Sequence, residues 1–435
     1  QWLRYGPVIS GGSTITMQVA RILEPHERTV GGKVRQVFRA LQLEWHYSKD
    51  QILTFYLNLA PFGGVIEGVQ AASFAWLRKS ADALSHAEAA LLAVLPQAPS
   101  RLRPDRYPER ARQYRDKVLQ RLADRGIWDA QVVQEALEEP VTKAHPRQPF
   151  KAPLFAQRMK AVALTQQQAR LQTSLDANIQ WVVENVLRNR LSQLPDRASA
   201  AVLVVENQTG YVRAYAGSAD FHNKARAGHV DMVQAVRSPG STLKPFLYGM
   251  AIDDGWLHSA SLLSDVPIRL QGYAPRNFFR QFAGAVSVAE ALQQSLNVPA
   301  VTVLQRLQPA NFVARLRNAG VTITFPEQAE PNLSVILGGA GTTLEDLVRG
   351  FTALARGGVT IKPRFTAQDA VEERRLLSAG AAWIIQTLLQ ALPPPEGSIN
   401  RTGIAWKTGT SYGFRDAWAV GVNDDYTVGV WAGRP

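Results

Sequence analysis

A serine and a lysine three residues apart, Ser241 and Lys244, could together carry out acyl transfer. Pro239 and Gly240 lead into a predicted helix, which would place Ser241 at the helix N-terminus and Lys244 one turn later on the same face. Backbone N–H groups and the helix dipole at such a position stabilise a developing oxyanion. A lysine whose pKa is lowered by burial can accept the serine proton. We therefore predict that Ser241 is a nucleophile and that Lys244 is its base.

A second reactive stretch, Lys407-Thr408-Gly409-Thr410, lies on a predicted strand near the end of the sequence. Gly409 would leave room for the backbone of an extended peptide to lie against the strand edge. Lys407 and Thr408 could hold a carboxylate. The N–H of Thr410 could complete an oxyanion hole with the N–H of Ser241.

A serine and an asparagine two residues apart could relay protons between these elements, and two such pairs occur. Ser295 and Asn297 follow a helical pattern that Pro299 ends, whereas Ser398 and Asn400 lie in a Pro/Gly-rich loop. We favour Ser295 and Asn297, because a rigid element positions a proton relay better than a loop does. The S-x-x-K, S-x-N and K-T-G set, in that order, is the signature of serine β-lactamases and penicillin-binding proteins.

The first part of the chain reads as almost entirely helical. Val34, Val37, Phe38, Leu41 and Trp45 recur at three- and four-residue spacing and predict one apolar helix face. A further helix is predicted to begin at a serine cap with a glutamate three residues later, at Ser85 and Glu88, and to stop at Pro96.

The second part begins and ends with predicted strands, with mostly helical sequence between them. The strands are 201–206, 211–217, 404–411, 417–422 and 426–432. A sheet formed from both ends of a domain around a helical insert is an α+β layout. Residues 141–170 are rich in Pro, Gln and Lys and read as a linker.

Composition excludes several classes of protein. The chain has no cysteine, so thiolate metal sites and disulfides are excluded, and its seven histidines show no zinc-binding spacing. Its net charge of +12 favours an anionic partner, but no nucleic-acid-binding motif accompanies it. No apolar run is long enough to span a bilayer. Because the sequence opens at Gln1 within predicted structure, we expect a fragment whose membrane anchor lies upstream.

Longer stretches resemble the class A, bifunctional penicillin-binding proteins. In the second part these are 228–245, 337–341 and 406–412. In the first part, residues 11–18, Gly-Gly-Ser-Thr-Ile-Thr-Met-Gln, resemble the GGSTITQQ motif of lysozyme-like peptidoglycan glycosyltransferases, and residues 56–58 and 95–100 match further motifs. The resemblance covers nearly the whole chain.

The resemblance implies a multi-domain protein. Residues 1–140 would form an all-α, lysozyme-like glycosyltransferase domain, 141–170 a linker, and 171–435 an α+β serine transpeptidase or β-lactamase-like domain with a five-stranded antiparallel sheet flanked by helices. The first domain would polymerise lipid II and the second would crosslink stem peptides of nascent peptidoglycan through a Ser241 acyl-enzyme, which β-lactams would also form. Ser295 and Asn297 would relay protons and orient the donor peptide. The family acts at the periplasmic face of the bacterial inner membrane.

The resemblance also assigns substrate-binding residues to the glycosyltransferase domain. They are Ser13, Thr14, Gln18, Arg21, Arg28, Lys33, Gln36 and Asn58. The transpeptidase would need no cofactor, whereas the glycosyltransferase could use a divalent cation.

Two departures from the family concern this first domain. The motif with the principal catalytic glutamate does not precede residue 11, and Gln36 stands where a second glutamate is usual, so the domain as given is expected not to polymerise glycan. Met17 also replaces a glutamine.

Other functions remain open at this point. A DD-carboxypeptidase would use the same residues with water as the acceptor. A β-lactamase would need a deacylating base, which we do not identify in the sequence. A penicillin-binding scaffold or sensor would keep the residues without turnover.

Overall fold

The computed structural model describes residues 13–27, 29–141, 151–167, 170–269, 274–278, 281–326, 329–394 and 403–435. The chain divides into two compact units, residues 1–150 and 151–435. Arg28 and the alternative pair Ser398 and Asn400 lie outside the described residues. Within the described part, no helix has the length and apolar character needed to cross a bilayer.

The first unit is helical, as the sequence predicts, with one short two-stranded antiparallel ribbon. Its elements are α1 (Ile15–Leu23), α2 (Val30–His46), α3 (Lys49–Leu59), β1 (Pro61–Gly63), β2 (Ile66–Glu67), α4 (Val69–Leu77), α5 (His86–Val94), α6 (Pro108–Asp124) and α7 (Ala130–Glu138). The predicted cap of α5 is confirmed, because the Ser85 and Glu88 side chains satisfy each other's backbone N–H groups.

The apolar face predicted on α2 is present, but it does not pack into the unit. Val34, Phe38 and Trp45 are 65%, 61% and 86% exposed. The residues of α2 that the described structure buries are Gln36 and Ala40, on the other side of the helix. Helical periodicity therefore identifies the face correctly, but it does not specify what the face contacts.

The second unit contains a five-stranded antiparallel sheet with helices on both faces. Four further short strands form two antiparallel pairs, β5-β6 and β7-β8. Its helices are α8 (Pro153–Thr165), α9 (Ala177–Arg190), α10 (Lys244–Asp253), α11 (Val288–Gln293), α12 (Asn297–Leu307), α13 (Pro309–Asn318), α14 (Leu344–Ala355) and α15 (Ala379–Gln390). Its strands are β3 (Ser199–Glu206), β4 (Val212–Ala216), β5 (Leu262–Asp265), β6 (Gly284–Ser287), β7 (Val359–Ile361), β8 (Glu373–Arg375), β9 (Ala405–Thr410), β10 (Asp416–Val422) and β11 (Tyr426–Gly433).

The main sheet has the order β4-β3-β11-β10-β9, which confirms the five strands predicted from the two ends of the domain. Because side chains alternate along a strand, β3 contributes to two cores. Ala200, Val202 and Val204 pack beneath α9, whereas Leu203 and Val205 join the larger core that contains α10, α12 and α14. β9 lies at the end of this order, so one of its edges pairs with no other strand among the described residues.

Helix α8 corrects the predicted linker at 141–170. Residues 153–165 are helical, and Phe155 and Met159 are buried in the core of the second unit. Pro153 lies at the helix N-terminus, where its missing N–H is tolerated. Pro153, one of the prolines that indicate a linker in the sequence, therefore marks the start of a helix, and the second unit begins at residue 151.

Candidate active site

Ser241 lies in a tight 3-10 turn, Gly240–Leu243, that runs directly into α10. Gly240 adopts a left-handed backbone, with φ +57°, and the N–H of Lys244 donates to the carbonyl oxygen of Ser241. The expected helix start is therefore 3-10 rather than α. Ser241 is partly exposed, whereas Lys244 is fully buried.

Strand β9 packs against this turn without intervening side chains. A Cβ on Gly240 would lie 2.5 Å from the carbonyl oxygen of Thr410. A Cβ on Gly409 would overlap the carbonyl oxygen of Pro239 and lie 2.6 Å from Cγ2 of Thr242. The distant Lys407–Thr410 stretch is thus held beside Ser241. The reason for Gly409 differs from our expectation, because the space of its missing side chain is filled by the serine turn rather than left for a ligand.

The open edge of β9 presents backbone groups of Thr408 and Thr410. The N–H of Ser411 donates to the carbonyl oxygen of Asp416 at 2.9 Å, so Ser411 faces β10. Antiparallel strands alternate inward and outward groups, which directs the N–H and C=O of Thr410 and Thr408 away from the sheet. An extended peptide could add to this edge, and the Thr410 N–H lies next to the serine turn.

Lys244 donates to two strong acceptors from a distant part of the chain. Its Nζ lies 2.7 Å from the carbonyl oxygen of Ser295 and 2.7 Å from Oδ1 of Asn297. Burial and the nearby positive charge of Lys407 lower the pKa of Lys244 well below its usual range. Both causes shift the buried amine toward its neutral form, which is the form that can accept a proton.

Lys407 is the second buried lysine of the site. Its Nζ lies 2.9 Å from Oγ of Ser295 and 3.0 Å from the carbonyl oxygen of Thr408. Burial lowers the pKa of Lys407 to about 8, so it keeps its charge at neutral pH. Among the described residues, the hydrogen-bond partners of the two lysines are hydroxyl, carbonyl and amide oxygens, and none is a carboxylate.

The structure brings the favoured pair, Ser295 and Asn297, to the two lysines. Ser295 follows α11 and has a left-handed backbone, with φ +56°, which is uncommon for a residue other than glycine. This conformation turns the chain so that both its carbonyl and its hydroxyl oxygen lie within 3.4 Å of Lys244. Asn297 is the first residue of α12.

Further residues support the site and were not identified from the sequence. Trp418 donates its Nε1 to the carbonyl oxygen of Ser238 at 2.7 Å, which ties the serine turn to β10. The hydroxyl of Ser238 donates to the carbonyl oxygen of Gly338 at 2.8 Å. The buried Asn277 contacts the N-terminus of α12. Ser238 and Gly338 lie in the matched stretches 228–245 and 337–341, but neither residue had an assigned role.

Several candidate residues of the first unit form a cluster. Lys33 donates its Nζ to Oγ of Ser13 at 2.7 Å and to Oε1 of Gln36 at 3.0 Å. Gln36 is buried, and its Nε2 donates to the carbonyl oxygen of Met17 at 2.5 Å. The buried amide thus connects α1 with α2.

The other candidates of this unit play different local roles. Thr14 caps α1 by accepting from the N–H of Met17, and Gln18 accepts from the hydroxyl of Tyr56 at 3.4 Å. Arg21 is exposed on α1, and the amide of Asn58 donates within its own helix to the carbonyl oxygen of Thr54. Nothing in these contacts joins Asn58 to the Lys33 cluster.

Two parts of the chain match known protein families. Residues 2–123 match the transglycosylase family, and residues 200–433 match the family described as the penicillin binding protein transpeptidase domain. The second match covers more than half of the 435 residues.

Similar proteins show the same two parts. Penicillin-binding protein 1C of Escherichia coli is 53% identical over 100% of this chain and 56% of its own length. Penicillin-binding protein 1F of Bacillus subtilis is 30% identical over 98% of this chain and 64% of its own length. The chain thus spans less than two thirds of the length of either relative.

Solved structures share the fold. Penicillin-binding protein 1A from Haemophilus influenzae superposes with a TM-score of 0.63 at 17% identity, over 98% of this chain and 84% of that chain. PonA1 from Mycobacterium tuberculosis, solved in complex with penicillin V, gives a TM-score of 0.55 at 22% identity, over 65% of this chain and 84% of that chain.

Proposed function

The chain belongs to the class A penicillin-binding proteins, and we propose that its second unit crosslinks peptidoglycan through an ester on Ser241. The observation that carries the proposal is the environment of Lys244. A neutral amine has two N–H groups and one lone pair. Ser295 and Asn297 supply two acceptors at 2.7 Å for the N–H groups, which leaves the lone pair for the serine proton.

In the acylation step, Oγ of Ser241 bonds to the carbonyl carbon of the penultimate D-alanine, and its proton passes to Nζ of Lys244. The C–N bond to the terminal D-alanine breaks. The leaving nitrogen takes a proton from Lys244 through the hydroxyl of Ser295, whose Oγ lies 3.4 Å from Nζ of Lys244. Lys407 binds the carboxylate of the leaving D-alanine, because it is the charged lysine of the site.

In the transfer step, the amine of a neighbouring stem peptide attacks the ester carbonyl. Its proton passes to Lys244 and on to Ser241 as the C–O bond breaks. The N–H groups of Ser241 and Thr410 stabilise the oxyanion in both steps. β-Lactams would acylate Ser241 through the same first step, and their ring amide would be the bond that opens.

The test is mass spectrometry of the chain after exposure to penicillin G. The expected result is a covalent adduct on the peptide that contains Ser241, lasting minutes to hours, and no adduct on the Ser241→Ala variant. Rapid loss of the adduct with hydrolysed drug would indicate a β-lactamase instead. Absence of any adduct on the folded chain would overturn the proposal.

The acceptor decides between a transpeptidase and a DD-carboxypeptidase. We propose transpeptidation as the main reaction, because residues 200–433 match the penicillin binding protein transpeptidase domain family. Release of D-alanine from a stem pentapeptide is measured with and without an added acceptor peptide. A crosslinked product supports the proposal, whereas D-alanine release with hydrolysis alone supports the carboxypeptidase.

For the first unit we propose polymerisation of lipid II in the full-length protein. Ser13 and Lys33 support this proposal, because their hydroxyl and ammonium groups lie 2.7 Å apart and together suit a diphosphate. A resident divalent cation does not fit this cluster, since an ammonium group occupies it. Within the described ranges, no group of three or more His, Asp or Glu could hold a metal. Lipid II polymerisation by the full-length protein, with a Lys33→Ala variant as comparison, tests the proposal.

We propose that the protein acts at the periplasmic face of the bacterial inner membrane. The exposed apolar face of α2, which includes Phe38 and Trp45, supports this location because such side chains insert into the interface of a bilayer. The net charge of +12 favours anionic lipid headgroups. The relevant test, vesicle binding, is described below.

A further inference from the structure

Asp265, at the end of β5, is a fully buried carboxylate that the acyl-transfer steps do not use. Both of its oxygens accept from Nδ2 of Asn277, at 2.8 Å and 2.9 Å. The N–H of Ala283 donates to Oδ2 at 2.8 Å. The carbonyl oxygen of Gln281 also accepts from Nδ2 of Asn277, at 2.9 Å. These oxygens only accept hydrogen bonds in these contacts, so together they fix which end of the Asn277 amide faces Asp265.

The fixed amide of Asn277 places its oxygen at the start of α12. Oδ1 accepts from the N–H of Asn297 at 2.8 Å and lies 3.4 Å from the N–H of Val298. The residue at the cap position of this helix is Leu296, whose side chain cannot cap. Asn277, which precedes Asn297 by twenty residues, caps the helix instead.

The residue before Asn277 fixes the second amide in the same way. The carbonyl oxygen of Arg276 accepts from Nδ2 of Asn297 at 2.7 Å. This contact leaves Oδ1 of Asn297 to face Lys244, which donates to it at 2.7 Å. A series of hydrogen bonds therefore connects Asp265, through Asn277 and Asn297, to the amine of Lys244.

We propose that Asp265 and Asn277 are positioning residues that set the orientation of Asn297 and thereby aim the lone pair of Lys244 at Ser241. The inference rests on the proposed acylation of Ser241. If Asn277 turned over, its NH₂ group would face the N–H of Asn297, and α12 would lose its cap. A shift of this kind moves an acceptor of Lys244, and misplacement of a catalytic group by about 1 Å can lower a rate by about 100-fold.

The test compares four forms of the chain: wild type, Asp265→Asn, Asn277→Asp and the double variant. Asp265→Asn removes the charged acceptor of the amide and leaves the carbonyl oxygen of Gln281 as its other acceptor, and Asn277→Asp buries two carboxylates side by side. Each single variant is expected to lower the second-order rate of acylation by a fluorescent penicillin by about 10- to 100-fold per folded molecule.

The double variant is expected to recover part of the rate, because the carbonyl oxygen of Gln281 still loses its donor. Its new amide at position 265 can donate to its new carboxylate at position 277. The second oxygen of that carboxylate still accepts from the N–H of Asn297, so the cap of α12 is restored. A residue that only stabilises the fold would not give this recovery in the rate per folded molecule. Unfolding midpoints of all variants are measured alongside to count the folded fraction.

Asn207→Ala serves as the matched control. Asn207 is also a buried asparagine of the second unit, and its Nδ2 donates to the carbonyl oxygen of Asn423 at 2.7 Å, but it has no contact with the lysines. It is expected to lower stability and leave the acylation rate of the folded protein unchanged. Single variants that acylate as fast as wild type, or a double variant as slow as either single one, would overturn the inference. A wild-type chain without an adduct would instead overturn the proposed function.

Discussion

The amines of Lys244 and Lys407 face the same hydroxyl, since Oγ of Ser295 lies 3.4 Å from the first Nζ and 2.9 Å from the second. Two neighbouring ammonium groups repel each other, and both lysines are buried. The proton therefore stays preferentially on one of them. The charge of Lys407 adds to burial in lowering the pKa of Lys244, whereas burial alone lowers the pKa of Lys407, to about 8. The charge is therefore favoured on Lys407 and the lone pair on Lys244.

This assignment gives a pH dependence for acylation of Ser241. A lysine is charged below its pKa, so Lys244 becomes an effective base once the pH exceeds its lowered pKa, and Lys407 loses its charge as the pH rises through about 8. We expect the rate of acylation by a fluorescent penicillin to rise on the acid side and to fall above about pH 8. Lys407→Arg keeps the charge and should remove the alkaline decline. A wild-type rate that keeps rising far into the alkaline range would contradict the assignment.

Gly409→Ala should displace the serine turn. Its new Cβ would overlap the carbonyl oxygen of Pro239, which backbone atoms cannot accommodate without moving. We expect a loss of about 1–3 kcal/mol in the free energy of unfolding and a slower acylation of Ser241. Gly421→Ala on β10 is the matched control, because its Cβ would lie 3.2 Å from the side chain of Ile404. Equal effects of the two substitutions would argue against the close approach of β9 and the turn.

Gln36→Glu should not raise lipid II polymerisation. The amide of Gln36 donates to the carbonyl oxygen of Met17, and a carboxylate there would face that oxygen without a proton to share. We expect a loss of about 1–3 kcal/mol in the stability of the first unit. Thermal unfolding and polymerisation by the full-length protein are the measurements. A gain in polymerisation would show that an acid at this position is useful and that the tie to Met17 is dispensable.

Arg158→Ala should destabilise the second unit. The Arg158 guanidinium pairs with the Glu345 carboxylate through Nη1 and Nη2 at 2.5 Å and 3.2 Å, and it lies 4.1 Å from the centre of the Phe365 ring. Both charged side chains are mostly buried, so removing one leaves the other without a partner. We expect a loss of about 2–3 kcal/mol in denaturant unfolding. Arg188→Ala on the exposed side of α9 should change stability by less than about 0.5 kcal/mol, and a similar loss there would point to a general charge effect.

Vesicle binding tests the apolar face of α2. Replacing Phe38 and Trp45 together by serine removes two large exposed apolar side chains, so partitioning to vesicles that contain anionic phospholipid should fall by about tenfold or more. Trp383→Ser is the control, because Trp383 is also exposed, at 66%, but lies in the second unit. Flotation of the chain with the vesicles measures the bound fraction. Equal binding by wild type and the α2 variant would exclude this face as a contact with lipid.

The parts of the fold and site that could be predicted are those with local signals. The alternating strands 404–411 and 417–422 correspond to β9 and β10 within two residues, and the cap at Ser85 is a short-range pattern. Two short motifs contain the reactive residues. The spacing of Ser241 and Lys244 corresponds to one helix turn, and Lys407 begins a motif on one strand. These features need no knowledge of distant residues.

The rest depends on which distant segments meet. Asn277 caps α12 because the fold carries its loop there, and no spacing in the sequence indicates this contact. The reason for Gly409 also requires the serine turn to be in place. The exposed side of α2 and the helix at 153–165 show the same limit, because periodicity and composition describe a segment but not its neighbours.

The open edge of β9 also bears on how copies of this protein behave toward each other. Unpaired strand edges can join the edges of other chains and start aggregation. Here the strand is six residues long, and the turn Tyr412–Phe414 follows it closely. Its exposed side chains include two threonines, Thr408 and Thr410, rather than the large apolar side chains that promote aggregation at such edges. The edge can thus bind a short polar peptide, but it offers a second copy of the chain too few backbone hydrogen-bonding groups for stable pairing.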